Sequence, residues 1–352
     1  MGVQRVEVQG MKIIRVLFLF LIIAASAFSY VCAAPSDYIP LVLADHAVPP
    51  SGALIDRVGP APQSVMDLFA EYDRDIIPRD RPYSAYTPTQ AQMREIQGVI
   101  GMLPAAVRDA VPQRLLGIYF IENMIGSGWT EWMMGPDRQQ YYVIALNAEV
   151  LELNASDWIS KKENSVFKRD DPAYDVRIDI GADLAGFYYI FFHEIAHVYD
   201  YMNSVTPGEP GQAPAKLFEE KIRRGKSMEE KFPYMHAYWK SFGEPAADVD
   251  FSGRSDVVFY GLWGGPNIAI SHAPTLYRHL SQSPFVTLYA SQNWMEDFAE
   301  LFAAWMSSEI MGRPWSLTVT QDGNPVFVIE HPLKQARLAA RVAVMKGLMG
   351  IK

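Results

Sequence analysis

A chain of 352 residues with 49% hydrophobic and 20% charged residues can bury one elaborated globular domain or two smaller ones, which excludes intrinsic disorder as its organising principle. A formal net charge of −9, with no stripe of Lys or Arg, excludes the electrostatic footprint of a nucleic-acid-binding protein.

The N-terminus reads as an export signal. Lys12 and Arg15 precede the apolar run Val16–Val31, and the small residues Ala33 and Ala34 follow at a suitable cleavage point, so residues 1–34 are expected to be removed. The run is short for a bilayer span and leads into Pro35 and Ser36 rather than basic stop-transfer residues. An exported protein, periplasmic or secreted, with no stable membrane span after signal removal is therefore expected, an uncleaved anchor being the alternative. Cys32, the only cysteine, lies inside the signal and leaves no disulfide; Ser29-Tyr30-Val31 before it fits a lipidation signal poorly. Residues 1–34 carry a net +2, so the charge of −9 becomes −11 without them.

Residues 35–62, rich in Pro, Gly and Ala, predict an extended surface lead-in, and residues 63–352 a single catalytic domain. A helix is expected from Ser64, and another with Thr87 as N-cap and Pro88 at its first position, presenting Met93, Ile96 and Ile100 on one face. Leu115–Ile121 and Tyr141–Leu146 read as strands, separated by a Gly/Trp/Met-rich segment over Gly126–Gly135. Ala182–Met202 is apolar on most faces and predicts a buried helix. Pro207, Gly208, Pro210, Gly211 and Pro214 then break the chain, a charged helix is expected over Lys216–Lys231, and an insert spans about 205–284. A second long helix should run from Trp294 to about Ile310 with Phe298, Leu301, Phe302 and Trp305 inward. A hairpin follows around Asp322-Gly323, then a closing helix after Pro332.

The chemistry concentrates in His193-Glu194-Ile195-Ala196-His197. Residues four apart share a helix face, so His193 and His197 can offer two imidazole nitrogens to one zinc ion, while Glu194 lies where it can polarise a metal-bound water and pass its proton to a leaving amine. A catalytic zinc needs a third protein ligand and an open position. The extended motif with Gly at position 200 and His at position 203 is excluded, because Asp200 and Asn203 stand there. Glu296 is the expected third ligand: it opens Glu296-Asp297-Phe298-Ala299-Glu300 on the second helix, and Glu300, one turn on, can accept the remaining N–H of a ligand histidine such as His193. Glu244, Asp248 and Asp250 are alternative ligands or part of a calcium loop, although their spacing fits no regular loop. His236, His272 and His279 read as structural or surface residues, and Trp129 and Trp132 as lining either a cleft or the core.

The pairing of His-Glu-x-x-His with Glu296-Asp297-Phe298-Ala299-Glu300 resembles the gluzincin peptidases, and most the branch that includes the catalytic domain of anthrax lethal factor. That resemblance implies an α+β, zincin-like fold, with a small mixed sheet, an active-site helix and a second metal-ligand helix. It also implies that Tyr289, seven positions ahead of Glu296, stabilises the oxyanion; the phenol is chemically suited to that task. Asp200 is similar to an acid found in related bacterial zinc peptidases, where it supports the ligands from behind. The interval from His197 to Glu296 is longer than in lethal factor, and Val205–Pro284 has no counterpart there. An exported, zinc-dependent metallopeptidase acting on a peptide or protein is thus expected, with Tyr141–Leu146 as the sheet edge that receives it. The alternatives are a zinc hydrolase of a non-protein amide or ester, and a metal-binding module without turnover.

Overall fold

The structure, a computed structural model, describes residues 38–74, 82–209 and 226–351. The expected signal peptide, Cys32, the first residues of the lead-in and most of the Lys216–Lys231 helix lie outside the described residues. No helix among the described residues is long and apolar enough to cross a membrane.

The rest of the lead-in is not extended. Helix α1 (Tyr38–Ala44), a 3-10 turn at Leu54–Arg57 and strand β1 (Val58–Pro60) occupy it, because Val42 and Leu54 find apolar surface to bury and β1 finds a parallel partner. Helix α2 (Gln63–Asp73) follows, then the short strand β2 (Ser84–Ala85). Helix α3 (Gln90–Gly101) is capped by Thr89 rather than Thr87. Thr89 Oγ1 accepts the Gln92 N–H at 3.3 Å and Gln92 Oε1 accepts the Thr89 N–H at 2.8 Å, a reciprocal arrangement that fixes the helix start two residues later than expected.

After helix α4 (Ala105–Ala110) come strands β3 (Leu115–Glu122), β4 (Gly128–Met134) and β5 (Gln140–Asn147). The main sheet runs β1-β3-β5-β4 with β2 beside β3; β1, β3 and β5 are parallel, whereas β2 and β4 are antiparallel to their neighbours. The expected edge is therefore wrong. β5 lies between β3 and β4, and the Gly/Trp/Met-rich segment forms the edge strand β4. Trp129, Thr130 and Trp132 are good strand formers, and Gly135 N–H donating to Gln139 O at 2.8 Å folds β4 back onto β5.

Helix α5 (Ala155–Asn164), strands β6 (Phe167–Lys168) and β7 (Tyr174–Asp179) and helix α6 (Phe187–Asn203) complete the first half. α6 is buried from Phe187 to Asp200, as its all-round apolar sequence predicts. The insert contains helix α7 (Met228–Lys231), strands β8 (Trp239–Ser241), β9 (Glu244–Pro245) and β10 (Ile268–Ala269) and helix α8 (Ala273–Leu280). Helix α9 (Trp294–Trp305) continues into a π-helical turn over Met306–Ile310. Strands β11 (Ser316–Gln321) and β12 (Asn324–Glu330) form the expected hairpin, Asp322 and Gly323 both taking positive φ (49° and 77°), and join β7 in a three-stranded antiparallel sheet. Helix α10 (Ala336–Leu348) closes the chain. The architecture is a mixed α and β assembly with small sheets.

The main sheet is covered on both faces. Leu116, Ile121, Tyr141, Val143 and Ala145 meet α1 and α2 on one side, while Ile118, Phe120, Tyr142, Ile144 and Leu146 belong to the core built around α6 and α9 on the other. α6 and α9 pack directly together, which brings two motifs that are distant in sequence to one place.

Candidate metal centre

α6 carries His193 and His197 on one stripe, one turn apart, with their rings edge to face at 4.8 Å between centroids. α9 begins at Asn293, whose Oδ1 accepts the N–H groups of Met295 and Glu296, each at 3.0 Å. This cap fixes Glu296 in the first turn, where an acid suits the helix dipole, and aims it across at α6.

The three expected ligands come together. His193 Nε2 lies 3.0 Å from Glu296 Oε2 and 3.1 Å from His197 Nε2, and His197 Nε2 lies 3.4 Å from Glu296 Oε2. Donor atoms bound tetrahedrally to zinc at about 2.0–2.1 Å stand about 3.3 Å apart, so this triangle is close to the size one zinc ion requires. Among the described residues no other group of His, Cys, Asp and Glu gathers in this way. The His side chains are almost fully covered, at 4% and 7% exposed, whereas Glu296 is 18% exposed, so the site is open on the Glu296 side.

The charges fit a cation. Burial works against a charged His193 ring, but Glu296 and Glu300 outweigh it and push the ring up to about 10. Burial would likewise raise the Glu296 carboxyl, yet the two imidazoles hold it well below the usual carboxylate range. A pocket that retains positive charge so strongly can exchange a proton for a metal ion.

Glu300, one turn after Glu296, lies behind His193 as expected. Its Oε1 is 3.2 Å from His193 Nδ1, an ion-pair contact. The same oxygen accepts Lys162 Nζ at 2.9 Å, and Oε2 accepts Thr287 Oγ1 at 2.8 Å and Tyr189 OH at 3.2 Å. Burial opposes the charge on Glu300, but Lys162 and His193 outweigh it and hold the carboxyl at about 2.

Glu194 turns from the ligand stripe toward the edge strand. Its Oε2 accepts Thr130 Oγ1 at 2.7 Å, and burial pushes its carboxyl up. Gly128 makes this approach possible: a Cβ there would fall 2.6 Å from Glu194 Oε1 and 3.0 Å from both Ile190 and Leu146.

Tyr289 sits in a 3-10 turn before α9, half-buried, with its ring centroid 5.8 Å from that of His193 and edge-on to Phe259 of the insert at 5.0 Å. Burial and then Glu296 push its phenol well up, so it keeps the proton a hydrogen-bond donor needs. Asp200 is one turn beyond His197, but both of its oxygens hold Thr206, at 2.7 Å from N–H and 2.7 Å from Oγ1. It pins the chain leaving α6, and burial pushes its carboxyl up to about 6.

The alternative ligands stand elsewhere. Glu244 pairs with Lys240 at 2.7 Å and Asp250 with Arg254 at 2.6 Å, and neither they nor Asp248, His236, His272 or His279 join the triad. Trp129 stacks on Tyr72 of α2 at 5.2 Å, a packing role. Sequence reading missed Lys162, Thr287, Thr130 and Arg341. Arg341 of α10 is fully buried, donates Nη1 to Asp297 Oδ1 at 2.8 Å and to Pro284 O at 2.8 Å, and so clips the residue beside Glu296 to the last helix. A lysine or arginine on a helix carries no signal that it will be buried. Comparison with protein-family models, with curated proteins and with solved structures found no match, so the functional reading rests on this geometry.

Proposed function

We propose that the chain is a zinc-dependent metallopeptidase of zincin-like fold, exported from the cell. The observation that carries the reading is the triangle of His193, His197 and Glu296, with Glu194 beside it on the same helix. Zinc bound there supplies a Lewis acid and an activated water. Glu194, buried and raised in basicity, serves as general base and then as proton donor to the leaving amine. Tyr289 offers a protonated phenol toward the oxyanion, and Glu300 orients the His193 ring.

A peptide substrate is favoured by the edge strand. Ser127 O accepts the Asn147 N–H at 3.0 Å, so the antiparallel alternation turns the main-chain groups of Gly128, Thr130 and Trp132 away from β5. Gly128 and Thr130 are also the residues that touch Glu194, so an extended chain added to this edge would run past the proposed base.

The test uses the exported chain and elemental analysis together with cleavage of casein. One zinc per chain is expected, lost in Glu296→Ala; Glu194→Gln should keep the metal and lose turnover by on the order of 10²–10⁴. Full metal retention in Glu296→Ala would overturn the ligand assignment. Bound zinc without casein cleavage would turn the reading to a non-protein amide or ester, and turnover unchanged by Glu194→Gln would remove Glu194 as the general base.

A further inference from the structure

α5 belongs to neither motif helix, yet it sends one side chain into the space between them. Lys162 is 5% exposed and its ammonium reaches Glu300 Oε1 at 2.9 Å. Aromatic faces also lie against it: Nζ stands 4.0 Å from the ring centroid of Tyr289, 5.8 Å from Phe259 and 5.9 Å from Trp158, with the Tyr260 phenol and the Glu163 carboxyl adding attraction. Burying an ammonium is expensive, and a Leu or Met would fill the same volume without that cost. The neighbouring Lys161 shows the ordinary alternative, pairing with Glu149 at the surface.

The geometry points to Lys162 as a positioning residue that fixes two working groups of the centre from one point. Through its ion pair it locks the Glu300 carboxylate, whose Oε1 also faces His193 Nδ1, and so sets the orientation of a ligand ring it does not touch. Through the cation–π contact it holds the plane of Tyr289 against the insert residue Phe259. Thr287 and Tyr189 brace the other Glu300 oxygen, but neither carries a charge or reaches Tyr289 in this way. Lys162 thereby ties the orientation of the metal ligands to the orientation of the proposed oxyanion donor. This inference rests on the metallopeptidase reading above.

The experiment compares the full chain with Lys162→Met, Lys162→Arg, Glu300→Gln and the double variant Lys162→Met/Glu300→Gln. Zinc affinity is read by chelator competition, and kcat and KM on one peptide. Lys162→Met should weaken zinc about 10–100-fold, as loss of a ligand-supporting group does, and lower kcat with little change in KM. Lys162→Arg should recover most of both. The double variant, which removes both buried charges and so remains foldable if Lys162→Met does not, should bind zinc no more weakly than Glu300→Gln alone, because Lys162 acts on the ligands through Glu300. Zinc affinity within two-fold of wild type in folded Lys162→Met, or losses that add in the double variant, would overturn the inference while leaving the metallopeptidase reading intact. A wild-type chain that binds no zinc would overturn that reading and this inference with it. A wild-type chain that binds zinc without cleaving peptides, but loses affinity in Lys162→Met, would overturn the peptidase reading and support the role of Lys162 toward the metal.

Discussion

The two faces of the main sheet are built on the same strands and solve different problems. Against α1 and α2 the packing is mainly apolar, with Phe69, Leu68 and Val65 on Tyr141, Val143 and Ala145 and Glu131 as the buried acid that the sheet adds there. On the α6 and α9 side, the core that this sheet face joins holds His193, Glu194, His197, Glu300, Lys162, Asp297 and Arg341, all buried. The first face gains stability from area removed from water; the second gives up part of that gain to hold charges in fixed places. Stability and chemistry can thus be perturbed separately by choosing the face.

The largest effects should come from one substitution on each. Arg341→Leu leaves Asp297 as an uncompensated buried carboxylate and should cost about 3–5 kcal/mol in denaturant unfolding, with weaker zinc retention because the residue beside Glu296 loses its anchor. Phe69→Ala on the apolar face should cost a similar ~3–5 kcal/mol but leave zinc affinity of the folded protein unchanged. Zinc loss in Phe69→Ala would break the contrast between the faces.

Gly128→Ala tests the seam where the sheet meets α6. The added methyl collides with Glu194 Oε1, Ile190 and Leu146, so a cost of about 1–3 kcal/mol and a fall in turnover at constant metal content are expected.

A smaller, pH-dependent effect is expected at Glu131, which lies in β4 with its side chain on the apolar face. Burial pushes its carboxyl from 4.5 up to about 7, against hydrogen bonds led by the Trp132 N–H. The folded chain therefore keeps this proton where the unfolded chain has lost it. Its contribution to stability is full below 4.5 and disappears as pH rises through about 7, with a slope of at most about 1.4 kcal/mol per pH unit. Glu131→Gln should flatten the unfolding free energy between about pH 5 and 7, and an unchanged slope would show that the carboxyl ionises there normally. Smallest of all, Val328→Thr on β12, where Val328 is 45% exposed, should change stability by less than about 0.5 kcal/mol.

What could be read from the sequence follows the range of the interactions. Helical spacing puts His193 beside His197 and Glu296 beside Glu300 regardless of the rest of the fold, so both motifs were legible. That they meet depends on α6 packing on α9, which no local pattern specifies. Lys162, Thr287 and Arg341 were invisible because their burial is decided by partners far along the chain. Gly128 weakens the strand pattern of β4, so the sequence shows it only as a segment between two strands, and the reason for that glycine, the nearness of Glu194, exists only in three dimensions. The lead-in reads as extended for the same reason: Val42 and Leu54 look like isolated apolar residues until the surfaces that cover them are in place.

Glu131 also changes what the edge of the sheet offers to other molecules. Its Oε1 accepts the outward N–H of Trp132 at 3.0 Å, taking one main-chain donor out of use. An open strand edge is a template for any extended chain, including a second molecule in the course of aggregation. Under the proposed function, occupying the edge at Trp132 would discourage such self-association and concentrate strand addition on Gly128 and Thr130, the stretch that lies against Glu194.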